Sequence, residues 1–358
     1  MMLTTMDNDI QTADKGEPLC PVFGTCGGCL YQDIPYSLEL KAKEEGVKNL
    51  LRKHLDIDDN LFEPIVASPK PYHYRNRLDL KLARTRDRGV LLGFTPKSGR
   101  GTVPLETCPI AEEGISDFIG QLKKETLSQL PPKYRQANLV VRTGDDGRVL
   151  WGGIGRRSCR LAPADYLWTE IQGKKIFYSL DTFFQANLSI LPRLFERMEA
   201  LDWWNRQTTL YDLYAGVGLF GITWAEKVRN VLLVEECPSS IQLARYNAVY
   251  HQLQNLKILE GKVEDVLPAL LHWDTPTEKI AVIDPPRAGL SPTALKTLTT
   301  AKEFRRILYL SCNPETLGRD LTGFAREKWR IEKIIPFDFF PKTRHVETLV
   351  LLVNGDPS

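Results

Sequence analysis

Long apolar runs are missing from this 358-residue chain: stretches such as Thr348 to Val353 fall far short of the roughly 18 residues that a membrane-spanning helix needs. A secretory leader is missing too. Residues 1–18 are polar and lack a basic segment followed by an apolar one, so they are expected to form a flexible tail on a cytoplasmic protein. Net charge is scarce at +2, which removes any global attraction for nucleic acid and confines an RNA-binding surface to a local patch. Cysteines are few and odd in number, seven in all, which argues against a disulfide framework and towards metal binding or catalysis. No internal repeat, membrane anchor or feature demanding an obligate protein partner stands out. What is present, 42% apolar and 26% charged residues, is ordinary globular composition, and the length suits two domains.

The rhythm of the chain divides it. Leu38 to Leu51 has the pattern of an amphipathic helix that follows a cysteine-bearing loop, so residues 19–60 form a cysteine segment with a linking helix. Residues 61–180 carry short alternating or β-branched segments at Asn76 to Ala83, Val90 to Phe94, Leu139 to Thr143, Val149 to Ile154 and Lys175 to Leu180. With a helix at Ile115 to Leu130, these predict an antiparallel α+β domain. Over residues 181–358 strands and helices alternate: strands at Thr209 to Leu213, Val231 to Glu235, Leu256 to Leu259, Ile280 to Ile283, Ile307 to Ser311, Ile331 to Pro336 and Thr348 to Val353, with helices from Leu219 and over Ser239 to His251. Repeated βα units predict a largely parallel, doubly wound α/β sheet.

Asp212-Leu-Tyr214-Ala-Gly216-Val-Gly218-Leu-Phe-Gly221 follows an apolar strand and opens a helix, the context in which a glycine-rich turn lets backbone approach a ligand. Glu235, nineteen residues beyond Gly216, ends the next strand, where a carboxylate can accept hydrogen bonds from a ribose. The pair implies an adenosine-containing ligand, and a nicotinamide or flavin enzyme would share the topology. Asp284-Pro-Pro-Arg287 and Ser311-Cys312-Asn-Pro314 end two further strands, so parallel order would bring Asp284 and Cys312 to the same edge. His345 and Glu347, just before the last strand, are candidates for acid-base work.

Cys20, Cys26 and Cys29, with Cys108-Pro109 far downstream, offer four thiols, which suit zinc and an iron-sulfur cluster equally on spacing alone. Cys159 and Cys237 read as packing residues. Between Lys70 and Glu106, nine Lys or Arg stand against three acids and are interleaved with Tyr72, His73, Tyr74 and Phe94, a stretch able to hold phosphates and stack bases.

Taken in order, FFQAN, DLYAGVGLFG, DPPRAG, SCNPETLGRD and HVETLV resemble the RNA uracil-C5 methyltransferases over nearly the whole chain. The resemblance implies a C-terminal Rossmann-like, S-adenosylmethionine-dependent methyltransferase domain behind an N-terminal and central α+β domain that carries an iron-sulfur cluster. It implies Cys312 as nucleophile and Glu347 as base, with Gln185, Tyr214, Gly216, Gly218, Glu235 and Asp284 around the methyl donor. Lys262 lies where the family often has an Asn or Asp contact and is left out of that set. The resemblance also turns the four thiols towards a [4Fe–4S] cluster on Cys20, Cys26, Cys29 and Cys108. Cluster-bearing relatives without an N-terminal RNA-binding barrel act on 23S ribosomal RNA, so that substrate is expected first and transfer RNA second, with a non-catalytic RNA-binding protein as the remaining alternative.

Overall fold

The computed structural model describes residues 15–85, 89–129, 133, 135–153, 162–271 and 278–355. Most of the expected tail, Cys159, and the end residues Leu130 and Ile154 of two expected elements lie outside the described residues.

After helix α1 (Tyr36–Arg52) come β1 (Arg77–Thr85), β2 (Gly89–Phe94), β3 (Val103–Pro104), α2 (Glu113–Gln129), β4 (Gln136–Thr143) and β5 (Val149–Gly153). The strands form an antiparallel sheet in the order β3-β2-β1-β4-β5. Leu78, Leu80 and Leu82 of β1 alternate onto one face and pack with Ile115, Ile119 and Leu122 of α2, so a period-two stripe meets a helical stripe in one core. These strands and this helix form an antiparallel α+β unit.

A hairpin follows, β6 (Leu167–Ile171) with β7 (Lys174–Tyr178), turning at Gln172 and Gly173, both at positive φ, which matches the twist of a tight hairpin. Then come α3 (Leu191–Glu199), β8 (Thr208–Leu213), α4 (Leu219–Trp224), β9 (Asn230–Glu235), α5 (Pro238–Tyr250), β10 (Leu256–Glu260), α6 (Val263–Leu271), β11 (Glu278–Ile283), α7 (Pro292–Thr300), β12 (Phe304–Ser311), α8 (Pro314–Arg326), β13 (Trp329–Phe337) and β14 (Glu347–Asn354).

The seven-stranded sheet runs β10-β9-β8-β11-β12-β14-β13, parallel except for β14, which inserts antiparallel between β12 and β13. Its central strands are buried on both faces, as a covered parallel sheet requires. Leu210, Ile280 and Val282 face one core, and Tyr211, Ala281 and Ile283 face the other. The first core also holds Leu167, Ile176 and Tyr178 of the hairpin, and the second holds Val47 and Leu51 of α1 against Leu317 and Leu321 of α8. Segments from before residue 181 therefore share the cores of the second half. Among the described residues no helix is long and apolar enough to cross a membrane.

Candidate active site

Strand direction assembles the site. Tyr214 follows β8, Glu235 ends β9, Asp284 follows β11 and Cys312 follows β12; because β14 runs the other way, its first residue, Glu347, lies at that same edge, paired with Phe337. One pocket there is lined by Phe183, Gln185, Tyr214, Gly216 and Asp284 among others, with the Gln185 amide donating to Asp284 Oδ2 at 3.3 Å. Gly218 caps α4 at φ 88°, and a Cβ there would lie 2.9 Å from both Ile222 and Leu233, so backbone conformation and space alike require glycine. Glu235 is fixed from both sides: Gly216 N–H donates to Oε2 and Cys237 N–H to Oε1, each at 2.8 Å. The carboxylate is thus oriented while keeping acceptor capacity for a ligand hydroxyl.

Two features correct the expectations. Cys237 is exposed beside Glu235 rather than packed, because it stands at the N-terminus of α5. Its Sγ lies 3.4 Å from Ser239 Oγ, and hydrogen bonds from Ser239 and Ser240 outweigh its burial and lower the thiol. Tyr74 is fully buried with its hydroxyl donating to Pro341 O at 2.9 Å, so it is not available to stack a base.

Charge in the cleft is concentrated and dry. Burial raises Asp284, and burial together with the Asp284 carboxylate holds Glu347 well above the usual range, opposed by Arg287. The Cys312 thiol is pushed up to about 12 by burial first, then by Glu347 and Asp284, again opposed by Arg287. Glu347 Oε2 is buried without a hydrogen-bond partner, leaving the oxygen available to a substrate. Asn313 Nδ2 and Thr316 Oγ1 hold the Arg287 carbonyl at 3.0 and 3.3 Å, anchoring its segment beside Cys312. His345 is pushed down to about 4 by burial and then by Arg287, whose guanidinium lies 3.4 Å from its Nδ1, so it is neutral near pH 7.

Sequence reasoning passed over Arg287 and gave Asp212 no role. Asp212 is fully buried, accepts from Gly221 N–H at 2.7 Å and is raised to about 8, burial being the main cause. A carboxylate between Tyr211 and Leu213, just before the glycine turn, was the available signal for Asp212; for Arg287 it was the cation directly after Pro285 and Pro286.

Away from this edge, Cys20, Cys26, Cys29 and Cys108 line one cavity of about 940 Å³ together with Arg75, Lys81, Lys97, Arg344 and His345. The thiols feel one another: Cys29 is raised to about 12 by burial, with further contributions from Cys108, Cys20 and Cys26. Among the described residues no three Cys, His, Asp or Glu side chains converge on a position for a single metal ion. Gln32 Oε1 accepts from Cys20 N–H at 3.0 Å, and its buried amide lies in the cavity wall at the Cys29 thiol, where it partly offsets the rise that burial causes. Lys70, Tyr72 and His73 of the basic stretch line a separate open groove with Glu112 and Glu113.

Comparison with known proteins bears on family and fold. The profile of the tRNA (uracil-5-)-methyltransferase family matches residues 162–354. An uncharacterized RNA methyltransferase of Thermosynechococcus vestitus is 30% identical, the alignment covering 96% of this chain and 86% of the relative. One from Staphylococcus aureus is 27% identical over 95% of this chain and 85% of its own. Among solved structures, the Pyrococcus abyssi tRNA (uracil-54, C5)-methyltransferase in complex with S-adenosyl-L-homocysteine superposes with a TM-score of 0.70 at 24% identity, covering 92% of this chain and 86% of that one, a likeness of fold.

Proposed function

Because the chain belongs to the tRNA (uracil-5-)-methyltransferase family and is therefore an RNA methyltransferase that uses S-adenosylmethionine, we propose that it methylates C5 of a uridine in 23S ribosomal RNA, with Cys312 as nucleophile and Glu347 as base. The observation that carries this is the meeting of Cys312, Glu347, Asp284 and the glycine turn at one edge of a parallel sheet.

Uracil C5 is a weak nucleophile until a thiolate adds at C6. Cys312 forms that bond and pushes an electron pair onto the C5–C4–O4 system as an enolate. C5 then takes the methyl group from the sulfonium, leaving S-adenosylhomocysteine. Glu347 removes the C5 proton, and the returning electron pair expels Cys312 from C6. A carboxylate raised by its surroundings is a stronger base, which suits this last step. Gln185, Tyr214, Gly216, Gly218, Glu235 and Asp284 are the donor contacts in this reading. The uridine must leave its stack to reach a thiol at the strand edge.

The second cofactor in the proposal is a [4Fe–4S] cluster on Cys20, Cys26, Cys29 and Cys108. What supports this reading is that the four thiols line one cavity, and four Cys ligands are the set such a cluster takes. The buried Gln32 amide at the Cys29 thiol is a donor that a ligating sulfur would accept. Bound there, the cluster would supply cross-links rather than electrons, since methylation consumes none. Iron and sulfide analysis of anaerobically purified protein tests the assignment.

Ribosomal RNA is preferred on that four-thiol arrangement. Transfer RNA is the second reading, favoured by the likeness to the archaeal fold. Incubation with labelled S-adenosylmethionine and bulk RNA from a strain lacking the gene, followed by nucleoside mass spectrometry, decides between them. 5-Methyluridine in ribosomal RNA supports the proposal, its appearance in transfer RNA alone replaces the substrate, and none in either overturns the reading.

A further inference from the structure

Glu347 is delivered by the connection between β13 and β14, residues 338–346, which has neither helix nor strand to fix it. At its centre stands Lys342, buried and at φ 66°, a left-handed conformation uncommon for a residue with a side chain. Every polar group of Lys342 is engaged by the N-terminal segment. Its carbonyl accepts from Leu30 N–H at 2.7 Å and Tyr31 N–H at 3.1 Å, directly after the cysteine loop. Its own N–H donates to Glu39 Oε1 at 2.6 Å, and its Nζ lies 3.2 Å from Glu39 Oε2 and 5.2 Å from the ring centres of Tyr36 and Tyr72. Glu39 is fully buried in the first turn of α1 and also pairs with Lys43 at 2.7 Å, which in turn holds Asp338 at 2.7 Å. Two ammonium groups and two carboxylates thus clamp both sides of the connection.

Burying such a quartet gives little net stability compared with apolar packing, so its value lies in selecting one conformation. The residues that follow, Thr343, Arg344 and His345, line the cysteine cavity, and Glu347 comes next but one.

We infer that Lys342 and Glu39 are positioning residues for the base. They hold the connection in the register that brings Glu347 to Cys312, and they tie that register to the order of the cysteine loop. The inference rests on Glu347 being the base. A displacement of about 1 Å can lower a rate on the order of 100-fold, so a loosened clamp should be felt in proton removal before anywhere else.

The test compares full-length wild type, Lys342→Met, Glu39→Gln and Lys342→Arg with bulk ribosomal RNA from the deletion strain as probe. Glu39→Gln keeps an acceptor for the Lys342 N–H and serves if Lys342→Met does not fold. Expected for the first two variants are S-adenosylmethionine affinity within about twofold of wild type, turnover lower by about tenfold or more, a larger share of enzyme trapped as covalent protein–RNA adduct, and faster amide exchange over residues 343–347, with Lys342→Arg recovering part of each. Unchanged turnover, or turnover lost in step with donor affinity and without adduct, overturns the inference. Glu347→Gln is run alongside: if it gives no adduct, the base assignment itself fails, and unchanged exchange over 343–347 in Lys342→Met then overturns the clamp on its own.

Discussion

Alkylation of the free enzyme by iodoacetamide, followed thiol by thiol by peptide mass spectrometry across pH, reads the electrostatics of the cleft directly. Only the thiolate reacts. A thiol at its ordinary 9.0 is about 10% ionised at pH 8, whereas Cys312, pushed up to about 12, is about 0.01% ionised, a ratio on the order of 1,000. The cleft of the free enzyme thus works against forming the thiolate. Cys237 supplies the reference in the same tube, because it is exposed and its thiol is lowered. Raising a thiol favours its neutral form, so the Cys312 rate should climb about tenfold per pH unit without levelling up to pH about 10, while Cys237 levels off below its ordinary 9.0. Glu347→Gln removes a carboxylate that opposes the thiolate and should speed Cys312; Arg287→Ala removes the cation that favours it and should slow it. Levelling of Cys312 below pH about 9, or reaction as fast as Cys237 at pH 8, would refute the reasoning.

Three further outcomes are expected. Asp212 is raised from 3.8 to about 8 on folding, so the native chain retains a proton that the unfolded chain releases, and stability should fall by about 1.4 kcal/mol per pH unit between those values; Asp212→Asn should melt higher than wild type at pH 8 and lose that advantage near pH 4, and parallel melting curves would contradict it. Gly218→Ala should cost about 1–3 kcal/mol and weaken donor binding, since its Cβ meets two side chains at positive φ, whereas Gly216→Ala faces open space and should cost less by thermal melting. Arg142 is buried and donates to Ser179 O and Thr182 O at 2.7 Å and to Phe184 O at 3.2 Å, so Arg142→Met should lose about 3 kcal/mol or more in denaturant unfolding and loosen the approach to Gln185.

Local pattern carried much of this structure. The run from Asp212 to Gly221 specifies strand, turn and helix within ten residues, because each step is set by neighbours: an apolar strand, glycines at positive φ, then a helix start. The same holds for Asp284 and Cys312, whose common edge follows from parallel order alone. Short elements escaped: β3 has two residues, and α3, though amphipathic, has nine and carries Pro192 in its first turn. Strand β6 was missed although Leu167, Thr169 and Ile171 alternate inward, since Trp168 between them masks the polarity of the other face. The burial of Tyr74 was not legible because aromatic residues beside basic ones look alike whether they face solvent or core. The clamp at Lys342 was illegible for a different reason: Glu39 lies 303 residues away, and nothing in two ordinary charges at that separation marks them as partners.

The distribution of charge explains how one edge can serve two different substrates in sequence. Asp284 lines the donor pocket and also raises both Glu347 and Cys312, so the negative charge that suits a sulfonium is the charge that opposes the thiolate. A bound cation beside Asp284 offsets that opposition by the same Coulombic reasoning that lets Arg287 lower the thiol. In the proposed reaction a sulfonium held beside Asp284 would favour ionisation of Cys312, and its conversion to a neutral thioether would remove that offset.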